Sequence, residues 1–122
     1  MINDTVSRII WEWGCRCFGE EHMLDRKARA LRLVEEAIEL AQAMEVPEQQ
    51  IQKLTSVVYK RPVGEPAREI GGVFVTAILM SQCLGWQPQT MIELEVCRCL
   101  AKSPEDFAKR NAEKNALGLT GR

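Results

Sequence analysis

The sequence predicts an all-α fold: a helical bundle of about five helices with a central four-helix core. Three observations carry this. Apolar residues recur at helical spacing along nearly the whole chain. No stretch alternates cleanly between apolar and polar, and β-branched and aromatic clusters are short. Proline and glycine divide the chain into helix-length pieces. At 122 residues the chain fits one domain, residues 1–122.

The elements follow in order. A first helix is predicted over about Val6 to Phe18, with Asp4 or Thr5 as cap and Gly19 as its end. A second spans about Asp25 to Met44. Pro47, in a first-turn position, opens a third over about Glu48 to Tyr59. Pro62, Gly64 and Pro66 mark a loop, after which Pro66 begins a fourth helix, through about Leu84 and closed by Gly85. A fifth starts after Pro88. Ser103, with Asp106 three residues on, reads as a fresh helix start in an acidic variant of the capping box.

Composition narrows the function. Hydrophobic content is 46%, charged content 27% and net charge −1, with acids and bases interspersed. A nucleic-acid binder driven by bulk charge needs a basic patch that this balance does not offer. The longest apolar stretch, Val73 to Met80, is far too short to span a bilayer and is interrupted by Thr76. With no basic segment followed by a long apolar run at the start, the chain reads as cytoplasmic. The five cysteines lie as Cys15 and Cys17, Cys97 and Cys99, and Cys83. Residues i and i+2 on a helix point roughly 200° apart, so neither pair converges on one ion. Buried reduced thiols are the expectation.

Two helices carry acids on one face. With Arg32 as reference and a turn of roughly 100° per residue, Glu35, Glu36 and Glu39 fall within about 60° of it. Leu31, Leu33, Val34, Ile38 and Leu40 take the opposite side, which suits a central bundle helix. On the fourth helix, Glu65, Gly72, Val73, Thr76 and Met80 fall within about 60° of Glu69. That helix is otherwise apolar nearly all round, so burial is expected and Glu69 needs a partner or a metal. Facing one another, the two wedges form a carboxylate cluster suited to Mg²⁺, the usual ion where phosphates complete the shell. A solvated acidic face is the other reading of the same geometry.

The stretch RALRLVEEAIELAQA, followed by REIGGVFVTAILMSQCLGW, resembles the two signature helices of the MazG-like, all-α nucleoside triphosphate pyrophosphohydrolases. The likeness covers roughly Trp11 to Leu84, and the tail LAKSPEDFAKRNAEKNALG resembles that family's C-terminal helix. It implies Mg²⁺-dependent, or Mn²⁺-dependent, hydrolysis of a nucleoside triphosphate to the monophosphate and pyrophosphate. Glu36 and Glu39 match the family's metal ligands, Glu69 matches the first acid of the second motif, and Glu35 is the candidate catalytic group. Arg32, Lys109, Arg110, Asn111 and Lys114 are the candidate substrate-binding residues, with Lys102 and Asn115 beside them. A homodimer or homotetramer is implied, with no nucleic-acid or membrane partner.

The chain departs from the family at position 72, where an aspartate is expected and Gly72 stands. Glycine costs roughly 1 kcal/mol relative to alanine inside a helix. Three readings stay open: a weaker site completed by water or a second ion, a site in which Glu65 supplies the missing oxygen, and a non-catalytic nucleotide-binding or helical oligomerisation module.

Overall fold

The computed structural model describes residues 3–119. Seven helices and no strand make up their regular structure: α1 (Asp4–Phe18), α2 (Glu20–Met23), α3 (Arg26–Ala43), α4 (Glu48–Tyr59), α5 (Pro66–Cys83), α6 (Pro88–Ala101) and α7 (Pro104–Ala116). The expected all-α class is therefore observed, with seven helices where about five were expected. The restart at Ser103 was expected, and the added element, α2, also arises at chain punctuation. Gly19 takes φ 82°, which ends α1 and turns the chain into the single turn of α2, and Asp25 then caps α3. Lys102 leaves helical geometry and Ser103 restarts it, separating α6 from α7.

Capping chemistry fixes the starts. Asn3, one residue earlier than expected, accepts the Val6 N–H at 2.9 Å. Asp25 accepts from Ala28 N–H at 3.0 Å and Ser103 from Asp106 N–H at 3.2 Å, each satisfying an otherwise orphaned helix donor. The α3–α4 and α5–α6 corners share one design. Val46 N–H reaches back to Ala41 C=O and Trp86 N–H to Ser81 C=O, both at 3.0 Å, and a left-handed residue sits at each bend. That residue is Gly85 at the second corner and Glu45, at φ 63°, at the first.

The buried part of the chain is small and lies at one end. Cys17, Met23, Ala28, Phe107 and His22 are its buried side chains, drawn from α1, α2, α3 and α7. Phe107 meets Trp13 edge-on at 5.1 Å between ring centroids, and Phe18 closes the cluster at 6.0 Å from Trp13 and 6.3 Å from Phe107. Edge-to-face pairs of this kind add about 0.5–1.5 kcal/mol each beyond area burial. Gly14 is part of the same packing, because the Met23 thioether lies where a Cβ would stand.

Away from this end the expectation of buried helices is not met within one chain. Helices α4, α5 and α6 contain no buried residue, and Ala28 is the one buried residue of α3. Phe74 is 52% exposed and Leu79 57%. Gly71, expected to admit a close neighbouring helix, has no other helix within 4 Å of a built Cβ among the described residues. Among the described residues no part of the same chain covers these apolar faces. The thiols follow suit: all five are free, Cys17 is buried, and Cys83 and Cys97 are exposed rather than buried. Among the described residues no single helix is long and apolar enough to cross a membrane.

Phe107→Ala removes the ring shared by α1 and α7 and is expected to cost about 3 kcal/mol of unfolding free energy, read from the denaturant midpoint. A change below about 0.5 kcal/mol, the range of ordinary surface substitutions, would show that the aromatic cluster does not hold the fold.

Candidate functional site

A charged pocket of about 390 Å³ opens between α1, α3, α6 and α7. Its size lies within the range of small-molecule sites. One wall is aromatic, with Trp13, Phe18 and Phe107. The other is ionic, with Arg29, Arg32, Arg98, Arg110 and Lys114 against Glu35, Glu36 and Glu95. Five cations against three carboxylates leave a positive balance.

Helix periodicity explains the convergence. Arg29, Arg32, Glu35 and Glu36 recur every three or four residues and so share one face of α3. On α7, Phe107, Arg110, Asn111 and Lys114 do the same. The aromatic cluster then holds the α7 face against α1, and Lys114 Nζ reaches Glu35 at 2.9 Å. Arg32 lies 3.6 Å from Glu35 and pairs closely with Glu36 one turn on. Arg29 lies over the Phe18 ring at 5.6 Å and Arg110 over Phe107 at 5.6 Å, which places both guanidinium groups against the aromatic wall.

The electrostatics follow from these contacts. Partial burial works against the charge of Glu35, but the hydrogen bond from Lys114, the field of Arg32 and contact with Glu39 outweigh it and hold the carboxyl below its ordinary value. Burial lowers the Arg29 value, and neighbouring Arg32 adds to it. The hydrogen bond from Arg98 holds Glu95 below the usual carboxylate range, against partial burial. Trp13 Nε1, Arg29 Nε and Arg32 Nη1 are buried and make no hydrogen bond among the described residues. A buried donor without an acceptor is costly.

The structure thus gathers Arg32, Glu35, Glu36, Arg110, Asn111 and Lys114 into one pocket. Glu39 lies one turn beyond, in contact with Glu35. Lys109 is exposed and does not line the pocket. Glu65 and Glu69 line neither this pocket nor the apolar groove beside it. The Glu69 carboxylate instead folds over Gly64, where a Cβ would overlap it. Among the described residues no other element lies within 4 Å of a Cβ built at Gly72, so a Cβ there meets open space.

The acids of α3 and α5 form no common cluster within one chain. Among the described residues, no group of three or more His, Cys, Asp or Glu side chains is placed to hold a metal ion. The α3 acids by themselves fit a different role. Mg²⁺ is commonly held by one or two carboxylates while substrate phosphates complete its shell, and Glu36 and Glu39 share the required face. Phe18, Phe107, Glu95 and Arg98 were not read from the sequence as site residues. The i, i+3 pair of Glu95 and Arg98 was a visible signal, whereas the aromatic wall depends on how α1 and α7 meet. Comparison with protein-family models, with curated proteins and with solved structures finds no match to this chain.

Because the folded-state value of Glu35 is depressed, its contribution is fully present above the ordinary glutamate range near pH 4.3. It is lost as pH falls through the lower folded value. Glu35→Gln is therefore expected to flatten the acid limb of the stability profile as pH falls below the ordinary glutamate range, as read by denaturant titration at each pH. An unchanged acid limb would separate Glu35 from the α3–α7 linkage.

Proposed function

We propose that the chain is a Mg²⁺-dependent nucleoside triphosphate pyrophosphohydrolase whose charged pocket receives the triphosphate. The observation that carries this is the convergence of five cations and an aromatic wall on one cavity, with an ionised carboxylate between them. A nucleoside triphosphate offers the matching chemistry, polyanionic at one end and a flat ring at the other. Arg29, Arg32, Arg110 and Lys114 neutralise phosphate oxygens, and the guanidinium forks of the arginines suit paired contacts. The Trp13 and Phe18 rings offer a stacking surface for the base, and Asn111 a hydrogen-bonding edge.

Glu36 and Glu39 would hold the ion, which supplies neutralisation of phosphate charge and an activated water. Mn²⁺ suits the same oxygen donors. Glu35 Oε, ionised at neutral pH, accepts the proton of the attacking water. For that, the ion pairs of Arg32 with Glu36 and of Lys114 with Glu35 must yield when phosphates draw both cations away. Glu69, with Glu65 in support, is the second-helix acid of the related family and joins the site once α5 packs in an assembled four-helix core. A homodimer or homotetramer provides that core, and the exposed faces of α4, α5 and α6 favour it.

A second reading is favoured by one observation: among the described residues no group of three or more His, Cys, Asp or Glu side chains is placed to hold a metal ion. On that reading the same pocket binds nucleotide without turnover, or the fold serves as a helical oligomerisation module.

Incubation with standard and modified nucleoside triphosphates in Mg²⁺ or Mn²⁺ is expected to yield the monophosphate and pyrophosphate from at least one of them. Glu39→Gln should abolish product while leaving the helical circular dichroism unchanged. Gly72→Asp should raise Mg²⁺ affinity by calorimetry if the position faces the site. Nucleotide binding without pyrophosphate release under every condition would establish the non-catalytic reading instead.

A further inference from the structure

Helix α6 gives the charged pocket Glu95, Arg98 and Cys99. Glu95 and Cys99, with Glu36 and Trp13, also wall an apolar groove of about 840 Å³ between α1, α5 and α6. Glu95 and Arg98 fall between the two stretches that resemble the pyrophosphohydrolase family, Trp11 to Leu84 and the tail from Leu100, so the resemblance gives them no role. They form a two-point ion pair. Arg98 Nε donates to Glu95 Oε2 at 2.9 Å, and Arg98 Nη2 donates to Glu95 Oε1. Both side chains are exposed.

A guanidinium fork that grips two carboxylate oxygens is shaped equally well for two phosphate oxygens. Glu95 therefore marks where an external anion would sit. An exposed pair of this spacing is weak. A polyphosphate carries more charge than one carboxylate and competes for the same donors. Cys99 Sγ lies 3.6 Å from Glu95 Oε1, a contact that the carboxylate keeps when Arg98 turns away.

Position along α3 decides which phosphates reach Arg98. Arg29 lies over Phe18 at one end of the pocket. Glu36 stands two turns further on, about 10 Å of helix rise away. Arg98 belongs with Glu36. The hydrogen bond with Glu95 raises the Arg98 value above its ordinary one, and the nearby charge of Glu36 adds to it. A nucleotide with its base at Phe18 directs its first phosphate toward Arg29 and its last phosphates toward Glu36 and Arg98.

We propose that Arg98 binds the two terminal phosphates of the triphosphate, and that Glu95 holds Arg98 in place until they arrive. The pocket then distinguishes a triphosphate from a monophosphate through α6. The assignment rests on the phosphate reading given above.

Calorimetric titration of the full chain with inorganic tripolyphosphate, and with the four common nucleoside monophosphates, tests it. Arg98→Ala is expected to lower tripolyphosphate affinity about tenfold or more. Its monophosphate affinity and helical circular dichroism are expected to match wild type. Glu95→Gln leaves Arg98 in place and frees it from a charged partner, so a gain in tripolyphosphate affinity of about twofold to fivefold is expected. That gain is expected to vanish when Arg98 is already alanine. It also decides the matter if Arg98→Ala fails to fold. Unchanged tripolyphosphate affinity in a folded Arg98→Ala overturns the assignment and leaves the phosphate reading standing. So does an equal loss for tripolyphosphate and monophosphates, which marks a structural role for Arg98. Unchanged or weaker binding in Glu95→Gln overturns the part given to Glu95. Wild type that binds neither tripolyphosphate nor any monophosphate overturns the phosphate reading and the assignment together.

Discussion

The packing of Phe107 between Trp13 and Phe18 is the joint on which the described structure depends. The core of one chain is little more than this cluster with Cys17, Met23, Ala28 and His22 beneath it. Through it, α7 is fixed against α1. That placement brings the α7 cations over the acidic face of α3, so Lys114 finds Glu35 and Arg110 stacks beside the pocket. The rings also form one wall of the cavity. The same few contacts therefore hold the fold and build the site, and the most buried side chains lie nearest the chemistry.

What this joint cannot do is cover the rest of the chain. An 18-residue helix such as α5, with apolar side chains on every side, has no stable reason to remain in water. Hydrophobic burial is the dominant favourable term in folding and association, and here one chain leaves much of it unrealised. Glu36 and Glu95 lie on the partition between the apolar groove and the charged pocket. Glu35 and Glu36 are held by Lys114 and Arg32 within the single chain.

Much of this was legible in the sequence. Helix limits followed from proline, glycine and capping residues: Glu48–Tyr59 was read without error, and Ser103 capped as expected. Periodicity also placed Arg32, Glu35 and Glu36 on one face of α3, and the family resemblance pointed to Lys109, Arg110, Asn111 and Lys114; the structure brings all of these but Lys109 into one pocket. The misses share one physical cause. Periodicity reveals which face is apolar, not what covers it. It read α3 and α5 as buried where a single chain leaves them open, and it gave no warning that Phe18 and Phe107 would wall the site. The single turn of α2 was hidden because Gly19 was read only as an end, and it is also the start of the next turn. Glu69 shows the same limit, since sharing a wedge with position 72 did not bring it to the α3 acids within one chain.

The central claim is that the pocket between α3 and α7 receives the phosphates of a nucleotide. Its most direct measurement is the affinity of a non-hydrolysable nucleoside triphosphate analogue for wild type and for an Arg29→Ala, Arg110→Ala double variant, across a range of salt concentration. The account predicts binding that weakens as salt rises and an affinity at least tenfold lower in the double variant, with the fold retained. An analogue that binds both proteins equally, or binds neither, would contradict it.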